Sequence, residues 1–170
     1  MFKDMFSLKG RVALVTGGSR GIGKMIAKGF LDAGAARVYI SSRKPAACDE
    51  TAAELGERCI SLPQDVSTVE GCKALAKRLT DAEPKLDILV NNAGAAWGAP
   101  FDEFPESGWD KVVDLNLKSP FFLTQALHGA LKAAASHEQP AKVINICSID
   151  GIRLNPQEPY SYHASTAGLI

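Results

Sequence analysis

Residues 11–23 read RVALVTGGSRGIG. The first six, 11–16, form a short, apolar, β-branched run, the pattern of a buried strand. From Gly23 the chain reads GKMIAKGFLDA, which sets Met25, Ile26, Phe30 and Leu31 at helical spacing before Gly34 ends the pattern. A glycine turn between a strand and a helix is the local form of a nucleotide phosphate site. Gly17 lets the chain reverse sharply, Gly21 lets backbone approach a pyrophosphate, and Gly23 allows close packing of helix on strand. The helix N-terminus adds unpaired N–H groups and a positive dipole end. Ser19, Arg20 and Ile22 lie in the same turn and join the glycines as expected cofactor contacts. An ordinary tight turn is the plain alternative, and the strand before and helix after argue against it.

The same rhythm continues downstream. Strands are expected at 37–42 (RVYISS), 59–62, 86–90 (LDILV) and 142–147 (KVINIC). Helices are expected at 45–56, with Pro45 in the first turn, and at 68–82. A longer one runs from Ser107 to about Ser136 with a break near Pro120. A Pro-rich loop then leads to a last helix starting near Tyr160. Strand–helix alternation with continuously apolar strands implies an α/β fold: a doubly wound parallel sheet, or Rossmann fold, as a single dinucleotide-binding domain over residues 1–170. Five strands are counted where that fold has six in the order 3-2-1-4-5-6. The expectation is a fold truncated after the fifth strand and the start of the following helix, with 142–147 left as an exposed apolar edge open to pairing.

Composition narrows the function classes. The 170 residues are 46% hydrophobic and 22% charged, which excludes wholesale disorder. Lys plus Arg equals Asp plus Glu, 19 against 19, so charge offers no case for nucleic acid or an anionic membrane as partner. No apolar run approaches the length of a membrane span. The opening MFKDMFSLKG is too short and too charged for a signal peptide, so a cytoplasmic protein is expected. Cys48, Cys59, Cys72 and Cys147 are widely spaced, without C-x-x-C or a cysteine–histidine cluster, and imply neither a metal nor a disulfide framework.

The second strand bears on the choice of cofactor. An NAD site places Asp or Glu about 20 residues after the turn, against the ribose 2′-hydroxyl. Here the region reads Ser41-Ser42-Arg43-Lys44, without an acid. Arg43, with Arg20 from the glycine turn, suits a 2′-phosphate, because the guanidinium fork matches phosphate oxygens. NADP(H) is therefore the expected cofactor. The bland alternative makes Arg43 and Lys44 a solvated charge pair.

With these residues on the page, the chain resembles the short-chain dehydrogenase/reductase family over its whole length from about Phe6. Asp65-Val66, after the third strand, matches the family's adenine-contacting acid, and both residues are expected at the cofactor. Asn91-Asn92-Ala93-Gly94 matches its NNAG motif, whose Asn92, Ala93 and Gly94 are expected at the cofactor. Asn116, Ser148 and Tyr162 match its catalytic asparagine, serine and tyrosine. Within the family the opening segment and the Trp-Gly after NNAG are most similar to NADPH-dependent 3-oxoacyl-[acyl-carrier-protein] reductases, including β-ketoacyl reductases of rhamnolipid synthesis. The resemblance implies reduction of a ketone, such as a β-ketoacyl thioester, and a homo-oligomer.

In that chemistry Tyr162 protonates the carbonyl oxygen as general acid, and Ser148 hydrogen-bonds the same oxygen. The resemblance, and not spacing, gives Asn116 a water in a proton relay. Singly, each has a plainer reading: a solvated tyrosine, a serine capping the turn after a strand, an asparagine bonded to backbone. Asn91 and Asn92 are also read as structural, and His163 as a surface residue. One departure stands out. The family's Y-x-x-x-K reads Tyr162-His163-Ala164-Ser165-Thr166, so the lysine that would favour tyrosinate is absent. The alternative function is accordingly a nucleotide-binding relative with impaired or no catalysis. Trp97, Phe101, Phe104 and Trp109 either line an apolar pocket or pack the loop after NNAG down.

Overall fold

The computed structural model describes residues 6–153 and 159–170; residues 1–5, and 154–158 of the expected Pro-rich loop, lie outside them. Strand β1 (Val12–Thr16) is the centre of the sheet, because Ala13, Leu14 and Val15 are all fully buried and it pairs on both sides. Helix α1 (Gly21–Asp32) leads to β2 (Arg37–Ser41), α2 (Pro45–Leu55) to β3 (Cys59–Ser61), and α3 (Val69–Ala82) to β4 (Ile88–Asn91). Strand β5 (Lys142–Asn145) follows a long helical region, and α6 (Tyr160–Leu169) closes the chain. The order is β3-β2-β1-β4-β5, all parallel, as the expected strand order requires.

Period-2 alternation sends each strand's side chains to two cores. Leu14, Tyr39 and Leu89 meet Leu75 and Leu79 of α3 and Leu123 and Leu127 of the long helical region. Val15, Val38, Ile40 and Val90 meet Ala27 and Leu31 of α1 and Cys48 of α2 on the other face. Each fully buried leucine contributes about 2 kcal/mol through the area it removes from water. Strand β5 is one edge of the sheet, and all four of its residues are exposed, as anticipated.

Several bounds shift by one or two residues, as with β4 at Ile88–Asn91 and β5 at Lys142–Asn145, and two features have a clear physical reason. β1 begins at Val12 because Arg11 is engaged elsewhere: its Nη1 donates to Asp87 Oδ1 at 2.6 Å, while Asp87 Oδ2 accepts from Val12 N at 2.9 Å. The long helical stretch is interrupted just before Pro120, as expected, but without leaving helical geometry. It runs as α4 (Glu106–Val113), a π-helical segment (Asp114–Lys118) and α5 (Ser119–Ala134). A proline inside an α-helix clashes with the carbonyl four residues back. Here the wider turn precedes it, with Ser119 N–H donating to Asp114 O, so the helix absorbs the ring and continues.

Candidate functional site

At the carboxyl ends of β1 and β4 the strand order reverses direction, the place where open α/β sheets bind ligands. Thr16 ends β1 there. Its Oγ1 accepts from the backbone N–H groups of Asn92 and Ala93, both at 3.0 Å, and so fixes the start of the loop after β4. Asn92 returns the contact: its Nδ2 donates to Thr16 O at 2.9 Å and Gly17 O at 3.3 Å. The Asn92 side chain thus braces the glycine turn. Asn91 also acts structurally, donating to Asn145 Oδ1 at 2.9 Å and tying β4 to β5.

The turn depends on its glycines for two different reasons. Gly17 has φ +65°, the left-handed region that side chains disfavour. Gly23 is buried on α1, where a Cβ would lie 2.3 Å from Gly17 O and 2.5 Å from Asn92 Nδ2. Gly21 has nothing within 4 Å of a Cβ position and leaves the backbone open toward the cavity.

That cavity, about 640 Å³, runs from the glycine turn to the end of β2. Ser19, Arg20, Gly21, Ile22 and Gly23 form one wall; Ser41, Arg43 and Lys44 form the end; Val66, Asn92, Ala93 and Gly94 line the floor and far side. Arg20, Arg43 and Lys44 are exposed, and no ion pair engages them among the described residues. The hydroxyl of Ser41 is buried in the same wall without a hydrogen-bond partner. A glycine cradle with no room for a side chain at Gly17, Gly18 and Gly23, a helix N-terminus and a basic end without an acid fit a phosphorylated dinucleotide.

Asp65 is placed differently from its expected role. The cavity is lined by Gln64 and Val66 on either side of it. Asp65 is exposed, and its Oδ1 accepts from Ser67 N at 2.9 Å, so the carboxylate holds its own turn. Nothing in the sequence distinguished Gln64.

A second cavity of about 350 Å³ shares Ile22, Asn92, Ala93 and Gly94 with the first and ends at Cys147, Tyr162 and Thr166. Asn116 reaches this region, but its side chain is engaged in a clamp. Oδ1 accepts from Ala95 N at 2.8 Å, and Nδ2 donates to Ala95 O at 2.9 Å and to Ser165 Oγ at 3.3 Å. Asn116 thereby joins the loop after β4 to α6. Ser165 in turn donates to Tyr162 O at 3.1 Å.

Thr166 does not take over the absent lysine's position. It is 3% exposed, and its hydroxyl donates to Tyr162 O at 2.7 Å, one helical turn back. The lining of this second cavity contains no Lys, Arg or His among the described residues. Ser148 also makes a local bond. It is not among the residues lining the cavity, where Cys147 stands instead, and its Oγ accepts from Asp150 N at 3.1 Å, capping a 3₁₀ turn (Ile149–Gly151). The cap reading of this serine is the one seen. His163 is tied to Asp150 O at 2.6 Å and is half-buried, so it is not a free surface residue.

Of the aromatic residues after the NNAG motif, Trp97 packs the loop, whereas Phe101, Phe104 and Trp109 line an open cavity of about 360 Å³ with Tyr160. Tyr160 meets Phe101 and Phe104 edge-on, with ring centroids 5.6 Å apart in both pairs. Trp97 lies against Gly108, where a Cβ would be 2.7 Å from its ring, and Lys111 Nζ sits 5.0 Å from the ring centre. Tyr160 and Tyr162 stand two residues apart on α6 and so point to different sides, one to this cluster and one to the cleft.

The family model for short chain dehydrogenase matches residues 11–170. The rhamnolipids biosynthesis 3-oxoacyl-[acyl-carrier-protein] reductase of Pseudomonas aeruginosa is 50% identical over 166 residues, covering 96% of this chain and 64% of that protein. The 2-dehydro-3-deoxy-D-gluconate 5-dehydrogenase of Escherichia coli is 38% identical over 170 residues, covering 100% of this chain and 66% of its own length. The chain therefore spans 64% to 66% of these two relatives. Among solved structures, the RhlG/NADP active-site complex of Pseudomonas aeruginosa superposes with a TM-score of 0.92 at 50% identity, over 96% of this chain and 64% of that one. A metagenomic short-chain oxidoreductase in complex with NADP gives 0.85 at 34% identity, over 95% and 72%. In sequence from residue 11 to 170 and in backbone, this chain belongs to the short-chain dehydrogenase family.

Proposed function

We propose that the chain binds NADP(H) and reduces a ketone, of the β-ketoacyl thioester class, to an alcohol. The observation that carries this reading is the continuity of the cleft. Ile22, Asn92, Ala93 and Gly94 line both cavities, so one groove leads from Arg43 and Lys44 to Tyr162. The thioester class is supported by the 50% identity to a 3-oxoacyl-[acyl-carrier-protein] reductase.

Arg20 and Arg43 hold the 2′-phosphate, and the glycine turn with the α1 N-terminus holds the pyrophosphate. The dinucleotide, when bound, supplies hydride. The Tyr162 phenol donates its proton to the carbonyl oxygen as negative charge develops there. Asn116 acts by position, holding the loop at Ala95 against α6. Ser148 keeps its hydroxyl proton, since the bond to Asp150 uses only an oxygen lone pair. It serves as second donor to the substrate oxygen after a rotation of its side chain.

A second reading has its own observation. No cation lines the cavity around Tyr162 among the described residues, and Thr166 is bonded to backbone. This favours a chain that binds NADP(H) and turns over slowly or not at all. Losing a positioned acid–base function costs about 10²–10⁴-fold. The test is calorimetric titration with NADPH and NADH, followed by turnover of a 3-oxoacyl thioester by wild type and Thr166→Lys. NADPH selectivity with turnover that rises strongly in Thr166→Lys is the expected result. Selective binding with no turnover in either protein supports the binding-only reading. Binding of neither nucleotide overturns both.

A further inference from the structure

The basic end of the cleft is assembled from two separate pieces of chain. Arg20 belongs to the glycine turn, at the N-cap of α1; Arg43 and Lys44 immediately precede α2. A 2′-phosphate held by both pieces needs a fixed spacing between them. The β1–β2 ladder, whose last pair is Thr16 and Ser41, sets the strand ends, and Cys48 Sγ, donating to Ile40 O at 3.3 Å, holds α2 on β2; only a few contacts then join the turn to this segment directly. Gly18 N–H donates to Ser41 O at 3.1 Å, which ties the turn to β2 but not to α2. Lys24 and Glu54 pair at 2.5 Å between α1 and α2, but Glu54 is 60% exposed, and such surface pairs hold little.

The third contact is part-buried. Thr51, on α2 and 4% exposed, donates from Oγ1 to Ser19 O at 2.8 Å. The bond has a directional consequence. The C=O of Ser19 and the N–H of Arg20 belong to one planar trans peptide and point opposite ways. Anchoring the carbonyl toward α2 turns the Arg20 N–H away from α2. The helix that carries Arg43 and Lys44 at its start is thus bolted to the peptide that carries Arg20.

We propose that Thr51 is a positioning residue for 2′-phosphate selectivity: it touches no ligand and sets the spacing between Arg20 and Arg43. This rests on the reading that the cleft takes NADP(H). Thr51→Val is nearly isosteric and removes only the donor; Thr51→Ser keeps it. Affinities for adenosine 2′,5′-bisphosphate and adenosine 5′-monophosphate, by calorimetry, isolate the 2′-phosphate from the rest of the dinucleotide. The preference for the bisphosphate is expected to fall about tenfold in Thr51→Val, the loss of one charge-assisted contact, and to persist in Thr51→Ser. Thermal melting of each variant establishes that it is folded, and Thr51→Ala replaces the valine if that does not fold. A preference unchanged in the folded donor-less variant, or both affinities falling by the same factor, overturns the inference alone. A wild-type chain with no preference for the bisphosphate overturns the NADP(H) reading and this inference with it.

Discussion

Adding one methyl group at Gly23 should unseat the phosphate turn. The Cβ would lie 2.3 Å from Gly17 O and 2.5 Å from Asn92 Nδ2, so both atoms must retreat by about 1 Å to reach ordinary contact. Overpacking of this kind costs about 1–3 kcal/mol. Moving Asn92 also weakens its bonds to Thr16 O and Gly17 O, at about 1 kcal/mol each. The gain in helix propensity from glycine to alanine returns at most about 1 kcal/mol. The net is a loss of about 3 kcal/mol, or about 6–12 °C in melting temperature for a chain of this size. Gly29 is the control. It lies on the same helix, exposed, with nothing within 4 Å of a Cβ position. Gly29→Ala should raise the midpoint by about 2–4 °C through the propensity term alone. Thermal and urea unfolding followed by circular dichroism measure both. A Gly23→Ala protein that melts at or above wild type would refute the packing argument.

Three further outcomes can be measured. Arg43→Ala should weaken NADPH binding about tenfold or more while leaving NADH within a factor of about two, because only the 2′-phosphate contact is lost; equal losses would place Arg43 elsewhere in the site. Ser41→Ala should stabilise the ligand-free chain by about 1 kcal/mol, since the buried hydroxyl has no partner to lose; a lower urea midpoint would show that the hydroxyl is bonded after all. Burial raises the Cys59 thiol from 9.0 to about 11, with Cys48 adding to the shift. Above pH 9 the unfolded chain releases this proton while the folded one keeps it, so stability is full below pH 9 and falls as pH rises toward 11, by on the order of 2 kcal/mol. Cys59→Ala should flatten that fall, and an unchanged slope in the variant would assign the pH dependence to other groups.

The sequence made the sheet legible because its strands are continuous apolar runs and its turn residues are punctual. Strand order, parallel pairing and the exposed fifth edge all emerged from that pattern. The glycine turn was legible for the same reason: each glycine serves a local backbone need. What did not emerge were roles set by partners far along the chain. Thr16 looks like the last residue of a strand until Asn92 and Ala93, 76 and 77 residues later, donate to it. Thr51 shows no signal at all, because its partner Ser19 is 32 residues away. Asn116 was read from a motif as a site residue, but its clamp on Ala95, 21 residues earlier, left no signal in the sequence. Ser148 and Asp65 matched a motif by position, yet each carries its oxygen into a local turn, a choice that neighbours two residues away decide.

The bond between Thr16 and the loop after β4 has a consequence for assembly of the chain. β1, β2 and β3 with their two crossover helices are near neighbours in sequence and can form early, whereas β4 must insert beside β1 from far downstream. Contacts of such separation close late, after the loop-closure entropy has been met. Until β4 docks, β1 is an open edge and Thr16 has no N–H groups to receive, so the glycine turn lacks its brace. On the NADP(H) reading, nucleotide affinity then arises at the end of folding and not with the first βαβ unit. A nucleotide added during refolding would stabilise the finished sheet by mass action and leave its slow step untouched.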